Sequence, residues 1–126
     1  AFLSGVAKAV LAGAAQDDGF IEKHCKDYDG YQDFLHSLAW QDLEAQAGVS
    51  RQTMEQVAEA YAGAEKTVFA WGMGLTHHEH GTENIEAVSN LALLRGMIGA
   101  PGCGLLPLRG HSNVQGVGSM GFTPAL

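Results

Sequence analysis

The chain of 126 residues is poor in cysteine, in proline and in positive charge. Its two cysteines, Cys25 and Cys103, are far apart and form no CxxC pair, which argues against a disulfide scaffold or a zinc ribbon and predicts free thiols. Seven basic and fourteen acidic residues give a formal net charge of −7. An acidic body of this kind argues against nucleic acid as a partner, and the apolar share is sufficient for a globular core.

Long apolar runs are also missing, as are acidic residues near the C-terminus. The longest apolar stretch, residues 6–15, is interrupted by a lysine and a glycine and is too short to cross a bilayer, so we expect no membrane segment. No secretory signal is visible, and we expect a cytoplasmic protein. The last acidic residue is Glu86, which leaves Arg95 and Arg109 as the only fixed side-chain charges of the final third. A segment of this composition favours a small anionic ligand.

Residues 1–64 are predicted to form a helical lead-in. Apolar residues near the amino terminus recur at spacings of three and four, which predicts a first amphipathic helix. Asp17 or Asp18 can cap a short second helix. A polar turn at residues 27–30 is expected to separate it from a third helix that begins at Tyr31.

Two further helices complete the predicted lead-in. Trp40 lies on one face of a short helix that should end at Gly48, and Ser50 is a suitable N-cap for a helix over residues 51–62. We expect that last helix to bury one stripe of side chains, formed by Met54, Val57, Ala58 and Tyr61.

Residues 65–126 differ in character and predict a strand, a loop and a helix. A β-branched and aromatic run at residues 67–71 predicts a buried strand, which is followed by a Gly-Met-Gly turn and a loop rich in histidine. A helix is predicted over residues 82–98, with Gly99 and Pro101 as its end signals. Because a single strand cannot form a sheet, we expect its partner strands to lie elsewhere in a longer parent chain.

The Gly-Met-Gly turn has two interpretations. Its glycines are the first two of a dinucleotide fingerprint whose third glycine is missing. They could bring backbone amides to a phosphate, or they could allow a close crossing of helix and strand. The nearby His77, His78 and His80 lack the spacing of a metal site, so we expect hydrogen bonds to a polar ligand from this loop instead.

Residues 107–121 form the strongest candidate binding segment. The segment combines several glycines with Arg109, His111, Asn113 and Gln115. Glycine lets the backbone approach a ligand closely, and the arginine fork suits an oxyanion. His111 would lie on the same side as Arg109 if the backbone there is extended. The alternative is a flexible polar connection without a ligand.

Together these motifs resemble the molybdopterin oxidoreductase family, and within it the alpha subunit of formate dehydrogenase-type enzymes. The resemblance runs from about Val68 to Pro124 and rests on WGMG, HHEHG, NIEAVSNLALLRGMIG and PGCGLLPLRGHSNVQGVGSMG. It implies an α/β fold: a Rossmann-like fragment, mostly helical and with few strands, of a larger multidomain enzyme. We expect one truncated domain that is inactive alone.

The resemblance also implies cofactors and partners. Members of the family bind molybdenum or tungsten through two molybdopterin guanine dinucleotides, usually with an iron–sulfur (4Fe-4S) cluster in another region of the chain. Two cysteines cannot supply the four thiolates of such a cluster, no residue here is assigned to the metal, and no cofactor is expected on the fragment alone. The implied partners are the rest of the parent chain, a small anionic substrate and a possible electron-transfer subunit.

Position by position, the resemblance assigns residues to the cofactor: Gly72, Met73, Gly74, His77, Gly110, Asn113, Val114, Gln115 and Gly116. His77 stands where many relatives carry glutamine. Arg109 matches the arginine that faces the metal and holds the substrate carboxylate in formate dehydrogenases. His111, the second catalytic candidate, stands where those enzymes commonly carry glutamine, and this departure points away from formate as the substrate.

Two other functions remain open at the level of sequence. A small-molecule or nucleotide-binding module without redox activity would use the same turn and loop for a phosphate. A helical interaction module would leave the glycine-rich loop unexplained. The length of the parent chain separates these alternatives, since a molybdenum enzyme subunit needs several hundred residues.

Overall fold

The computed structural model describes residues 1–121 and shows a small α/β unit that is mostly helical, as predicted. Its elements follow in this order: α1 (Phe2–Ala12), α2 (Asp18–His24), α3 (Tyr28–Ser37), α4 (Trp40–Ala47), α5 (Arg51–Gly63), β1 (Val68–Trp71), α6 (Met73–Thr76), α7 (Gly81–Leu94), β2 (Gly104–Pro107) and α8 (Val114–Ser119). None of these described helices is long and apolar enough to cross a membrane.

Local capping signals set three of the helix ends. The Asp17 side chain accepts a hydrogen bond of 2.9 Å from the Phe20 amide at the start of α2. Ser50 Oγ accepts one of 3.2 Å from the Thr53 amide at the start of α5. Gly48, with φ of 69°, ends α4 in the left-handed conformation that glycine adopts without strain. These predictions are confirmed.

Two expectations within the lead-in are wrong. Residues 27–30 do not form a separating turn, because α3 begins at Tyr28 after Asp27 takes the left-handed conformation, with φ of 54°. Val57 is 41% exposed and lies outside the buried stripe of α5. The helix packs along Met54, Ala58 and Tyr61, at spacings of four and three residues, and Val57 lies at the rim of that face.

The second strand, β2, was missed by the sequence prediction. It pairs with β1 in parallel, from Val68 opposite Gly104 to Trp71 opposite Pro107, and α7 forms the crossover between the two strands. The predicted burial of β1 is also wrong for the described residues. Burial alternates along the strand, with Val68 53% exposed and Phe69 half-buried, so only one face of the sheet is covered within residues 1–121.

The helix after the histidine-rich loop ends earlier than predicted. α7 stops at Leu94 rather than at Ile98, because Gly96 adopts a φ of 63° and the Met97 amide turns back to donate to the Ala92 carbonyl at 2.9 Å. Part of the predicted loop is itself helical. α6 follows β1 after Gly72 alone.

One hydrophobic core joins the predicted lead-in to the segment that follows it. It includes Val6, Ala7, Val10, Leu35, Leu43, Met54, Ala58, Tyr61, Leu91, Ala92, Leu94 and Met97. The Tyr61 ring packs edge-on against Phe69, and its hydroxyl donates to the Leu91 carbonyl at 2.9 Å. The sheet and α7 are thereby fixed to the helical layer.

Arg95 ties three segments of this unit together. Its Nε donates to the Ala15 carbonyl at 3.1 Å, and its Nη1 donates to the carbonyls of Tyr61 and Ala64, the latter at 3.1 Å. The guanidinium also lies 5.0 Å from the centre of the Tyr61 ring. One of the two arginines in the final third of the chain therefore has a structural role.

Candidate functional site

The two segments predicted to bind a ligand begin side by side at the carboxyl ends of the parallel strands. Trp71 and Pro107 are the last pair of the sheet, and the Leu108 amide donates to the Trp71 carbonyl at 2.7 Å. Gly72 and Leu108 therefore leave the sheet together. This edge is where ligands bind in open parallel sheets.

A hollow of about 260 Å³ lies at this edge, and we call it the carboxyl-end hollow. It is lined by Trp71, Gly72, Met73, Thr76, His77, Pro107, Leu108, Arg109, Gly110, His111 and Val114. Seven of the eleven predicted site residues belong to this set. The volume is below the range of about 300–1,000 Å³ typical of complete small-molecule sites, so the hollow matches a part of a larger ligand.

Four predicted site residues lie outside the lining. They are Gly74, Asn113, Gln115 and Gly116. Asn113 precedes α8 in the left-handed conformation, with φ of 57°, and Val114 is the only residue of α8 that reaches the hollow. Among the lining residues, Thr76, Pro107 and Leu108 were not singled out from the sequence, and Trp71 was assigned only to the strand. The only sequence feature that could have identified them is their position, because each lies within a few residues of a strand end.

The hollow is rich in hydrogen-bond donors and contains no carboxylate among its lining residues. Arg109 and His111 are both exposed, and Arg109 forms no ion pair with any group in residues 1–121. The backbone bends at Gly110 and His111 instead of running extended, yet both side chains line the same hollow. A positive charge without a neighbouring carboxylate suits an anionic group.

The glycines of the turn after β1 are not explained by packing within the described residues. A Cβ added at Gly74 would meet no atom within 4 Å, and one added at Gly72 would meet only the Leu108 carbonyl oxygen, at 3.9 Å. The alternative of a close helix–strand crossing finds no support in these contacts. Gly81 is different, because a Cβ there would overlap the Thr76 backbone oxygen, so the junction of α6 and α7 requires glycine.

The histidine-rich loop divides between the hollow and solvent. His77 ends α6, where its amide donates to the Met73 carbonyl at 2.9 Å, and it lines the hollow. His80 Nδ1 lies 3.6 Å from Glu83 Oε1 on the surface. Within residues 1–121, no group of three histidine, cysteine or acidic side chains is close enough to hold a metal ion. His77 is thus the one histidine of the loop that the fold brings to Arg109.

Comparison with known proteins gives a consistent result. A family model described as molybdopterin oxidoreductase matches residues 17–122, so the match begins well before Val68 and includes most of the helical lead-in. "Protein YdeP" of Escherichia coli is 46% identical over 107 residues, which cover 85% of this chain and 14% of that protein. An "Uncharacterized oxidoreductase" of Mycobacterium tuberculosis is 39% identical over 112 residues, or 89% of this chain and 14% of its own length.

A third relative carries a more specific name. A "Putative formate dehydrogenase" of Staphylococcus aureus is 37% identical over 124 residues, which cover 98% of this chain and 13% of that protein. The chain thus spans only 13 to 14% of the length of these relatives. On the match of the family model over most of its length, the chain belongs to the molybdopterin oxidoreductase family.

Proposed function

We propose that the chain is part of a molybdopterin-dependent oxidoreductase similar to formate dehydrogenases, and that the carboxyl-end hollow holds part of a molybdopterin guanine dinucleotide. The observation that carries the proposal is the meeting of two separate glycine-containing segments with Arg109 in one hollow free of carboxylates. The names of the relatives support an oxidoreductase parent, and one of them supports the likeness to formate dehydrogenases.

The residues present fit such a cofactor. Gly72 and Gly74 leave open space beside the backbone where a ligand can approach, and His77 and Thr76 offer polar side chains at the same edge. Two dinucleotides with molybdenum or tungsten supply the redox chemistry when bound in the parent enzyme. We place the iron–sulfur cluster in another region of that enzyme, because the two cysteines here cannot supply four thiolates.

Within this proposal Arg109 and His111 act on the substrate. Arg109 holds a small anion through a charge-assisted pair of hydrogen bonds, which strengthen as the surrounding protein excludes water. His111 donates a hydrogen bond to the substrate or takes up a proton at an imidazole nitrogen. Both side chains are exposed within residues 1–121, so the wall that excludes water belongs to the rest of the parent chain.

The proposal extends to the surroundings of the parent enzyme. We assign it a cytoplasmic location, which fits two free thiols, since unpaired cysteines are typical of reducing compartments. Its partners are the remaining chain, a small anionic substrate and an electron-transfer subunit. The substitution of histidine for glutamine at position 111 leads us to a small anion other than formate.

Cofactor retention in the full-length protein tests the assignment of the hollow. Gly72→Ala should lower the bound molybdenum or tungsten and the pterin fluorescence, because Gly72 lines the hollow and the new methyl group occupies space that the ligand needs. Gly63→Ala is the matched control, since an added Cβ there meets no atom within 4 Å and lies on α5. Normal cofactor content in Gly72→Ala would contradict the assignment. A wild-type protein without metal or pterin, purified from cells that make them, would overturn the function itself.

Turnover tests the role of Arg109 separately. Arg109→Ala should reduce turnover by on the order of a hundredfold or more while the metal content stays near that of the wild type. Arg109→Lys should recover part of the loss, because it keeps the charge but not the fork. Arg51→Ala controls for the removal of a partly exposed arginine, since Arg51 pairs with Glu55 on the surface of α5. Normal turnover of Arg109→Ala would show that the arginine does not hold the substrate.

A further inference from the structure

The short helix α6 forms one wall of the carboxyl-end hollow, yet it has no buried residue to hold it in place. Each of its residues is exposed or half-buried, whereas α7 buries four side chains. Met73 and Thr76 of α6 line the hollow, and so does His77, at which the helix ends. A four-residue helix without buried side chains is not stable by itself, so contacts with the rest of the fold must fix this wall.

Two contacts with α7 hold α6. Gly81 lies so close to the Thr76 backbone oxygen that an added Cβ would overlap it. Asn84, one turn further along α7, donates from its side-chain Nδ2 to the Leu75 carbonyl at 3.1 Å. Asn84 and Leu75 are both half-buried, which limits competition from water for this hydrogen bond. Within the described residues 1–121, no other side chain forms a hydrogen bond with α6.

α6 in turn contacts the segment that carries Arg109. A Cβ added at Gly110 would lie 3.4 Å from Met73 Cε and 3.6 Å from Met73 Sδ, so the methionine side chain packs against the Gly110 backbone. Gly110 is flanked by Arg109 and His111, the two residues proposed to act on the substrate. A displacement of α6 therefore reaches both walls of the hollow, through His77 directly and through Met73 on the arginine side.

We propose that Asn84 is a positioning residue for the carboxyl-end hollow, and that it fixes α6 so that His77 and Arg109 keep the spacing that the ligand requires. Asn84 is outside the lining of the hollow, so its effect passes through the Leu75 carbonyl. Asparagine suits this task, because its side-chain amide donates a hydrogen bond without placing a charge beside an anionic ligand. Its role at the ligand rests on the proposed function, whereas its hold on α6 does not.

Hydrogen exchange in the full-length protein tests the hold on α6. Asn84→Leu removes the donor, keeps a branched side chain of similar size and adds no charge. Exchange at the His77 amide, which donates to the Met73 carbonyl, should become about tenfold faster, while the Leu91 amide in the buried part of α7 stays within about twofold of its wild-type rate. Asn90→Leu, on the same helix and outside the hollow, is the matched control and should change neither rate. An unchanged His77 amide, or equal acceleration at Leu91, would overturn the proposal.

Cofactor content tests the role at the ligand. Asn84→Leu should lower the molybdenum or tungsten and the pterin per folded chain by about twofold or more, and Asn90→Leu should not. Asn84→Gln returns an amide donor one methylene further out and should recover part of the content. Full content in Asn84→Leu despite faster exchange at His77, or no recovery in Asn84→Gln, would overturn the positioning role.

The two measurements also separate this proposal from the proposed function. A wild-type protein without metal or pterin would overturn the proposed function and with it the role of Asn84 at the ligand. The exchange rates of the His77 and Leu91 amides would still decide whether Asn84 holds α6, because that contact lies within the chain itself.

Discussion

Arg95 offers the sharpest test of how this unit is held together. The predicted change is Arg95→Ala, which removes the hydrogen bonds to the carbonyls of Ala15, Tyr61 and Ala64 and the contact with the Tyr61 ring. These carbonyls lie at the end of α5 and in the link between α1 and α2. The substitution should therefore loosen the joint between the helical layer and α7.

The magnitude follows from the contacts. Hydrogen bonds from a charged donor contribute about 1.5–3 kcal/mol each, and a cation over an aromatic ring contributes about 0.5–1 kcal/mol or more. Arg95 is partly exposed, so water replaces part of what is lost. We expect the free energy of local unfolding to fall by about 2–4 kcal/mol, within the range of large single substitutions. Arg95→Lys should recover only part of this, because one ammonium group cannot reach all three carbonyls.

Hydrogen exchange of the amides in the last turn of α5 measures this change locally in the full-length protein, without the assumption that global unfolding is two-state. A loss of about 2–4 kcal/mol corresponds to roughly 30-fold to 1,000-fold faster exchange. Arg51→Ala is the control. Its surface pair with Glu55 at 2.7 Å and its contact with the Trp40 ring at 4.7 Å together contribute about 1 kcal/mol. Equal acceleration in both variants, or less than about threefold in Arg95→Ala, would refute the reasoning.

Two further predictions concern the junction after α6 and an aromatic side chain in the core. Gly81→Ala should push the α6–α7 junction away from the Thr76 backbone and so speed hydrogen exchange at the His77 amide. Gly63→Ala, with free space around the new methyl group, should leave that rate unchanged. Equal exchange rates in the two variants would contradict the clash. Burial raises the pKa of Tyr61 to about 12, against a usual value of 10.0. The neutral phenol therefore stabilises the folded state fully below pH 10, and this contribution is lost as the pH rises through 12. A tyrosinate absorbance titration of the wild type minus that of Tyr61→Phe should show one group ionising near pH 12, and a midpoint near 10 would show that burial has no such effect.

The parts of the fold that the sequence predicted correctly are set by local chemistry. Asp17 and Ser50 cap their helices through their own side chains, and Gly48 ends α4 through its own backbone conformation. Such signals lie within a few residues of their effect. The end of α7 shows the limit of such local signals. Gly96, Gly99 and Gly102 all adopt positive φ, and the sequence does not indicate which of them ends the helix.

The second strand could not be predicted because its cause is distant along the chain. β2 has four residues, begins with glycine and ends with proline, and carries no alternating pattern of its own. It becomes a strand by pairing with β1 across the α7 crossover. For the same reason the geometry of the site could not be predicted. The sequence indicates both candidate segments, but it does not show that they meet beside Trp71 and Leu108, because that depends on the pairing of the two strands.

The parallel pairing of β1 with β2 has a consequence for synthesis on the ribosome. Val68 can pair only after Gly104, its partner in β2, has also been synthesised. At about 5–20 residues per second this delay lasts on the order of a few seconds. During that interval α1 and α5 have already left the ribosome and can pack, while β1 still lacks its partner strand β2. The newborn chain therefore passes through a stage in which an apolar strand is available to any chaperone or neighbouring polypeptide before its own partner emerges.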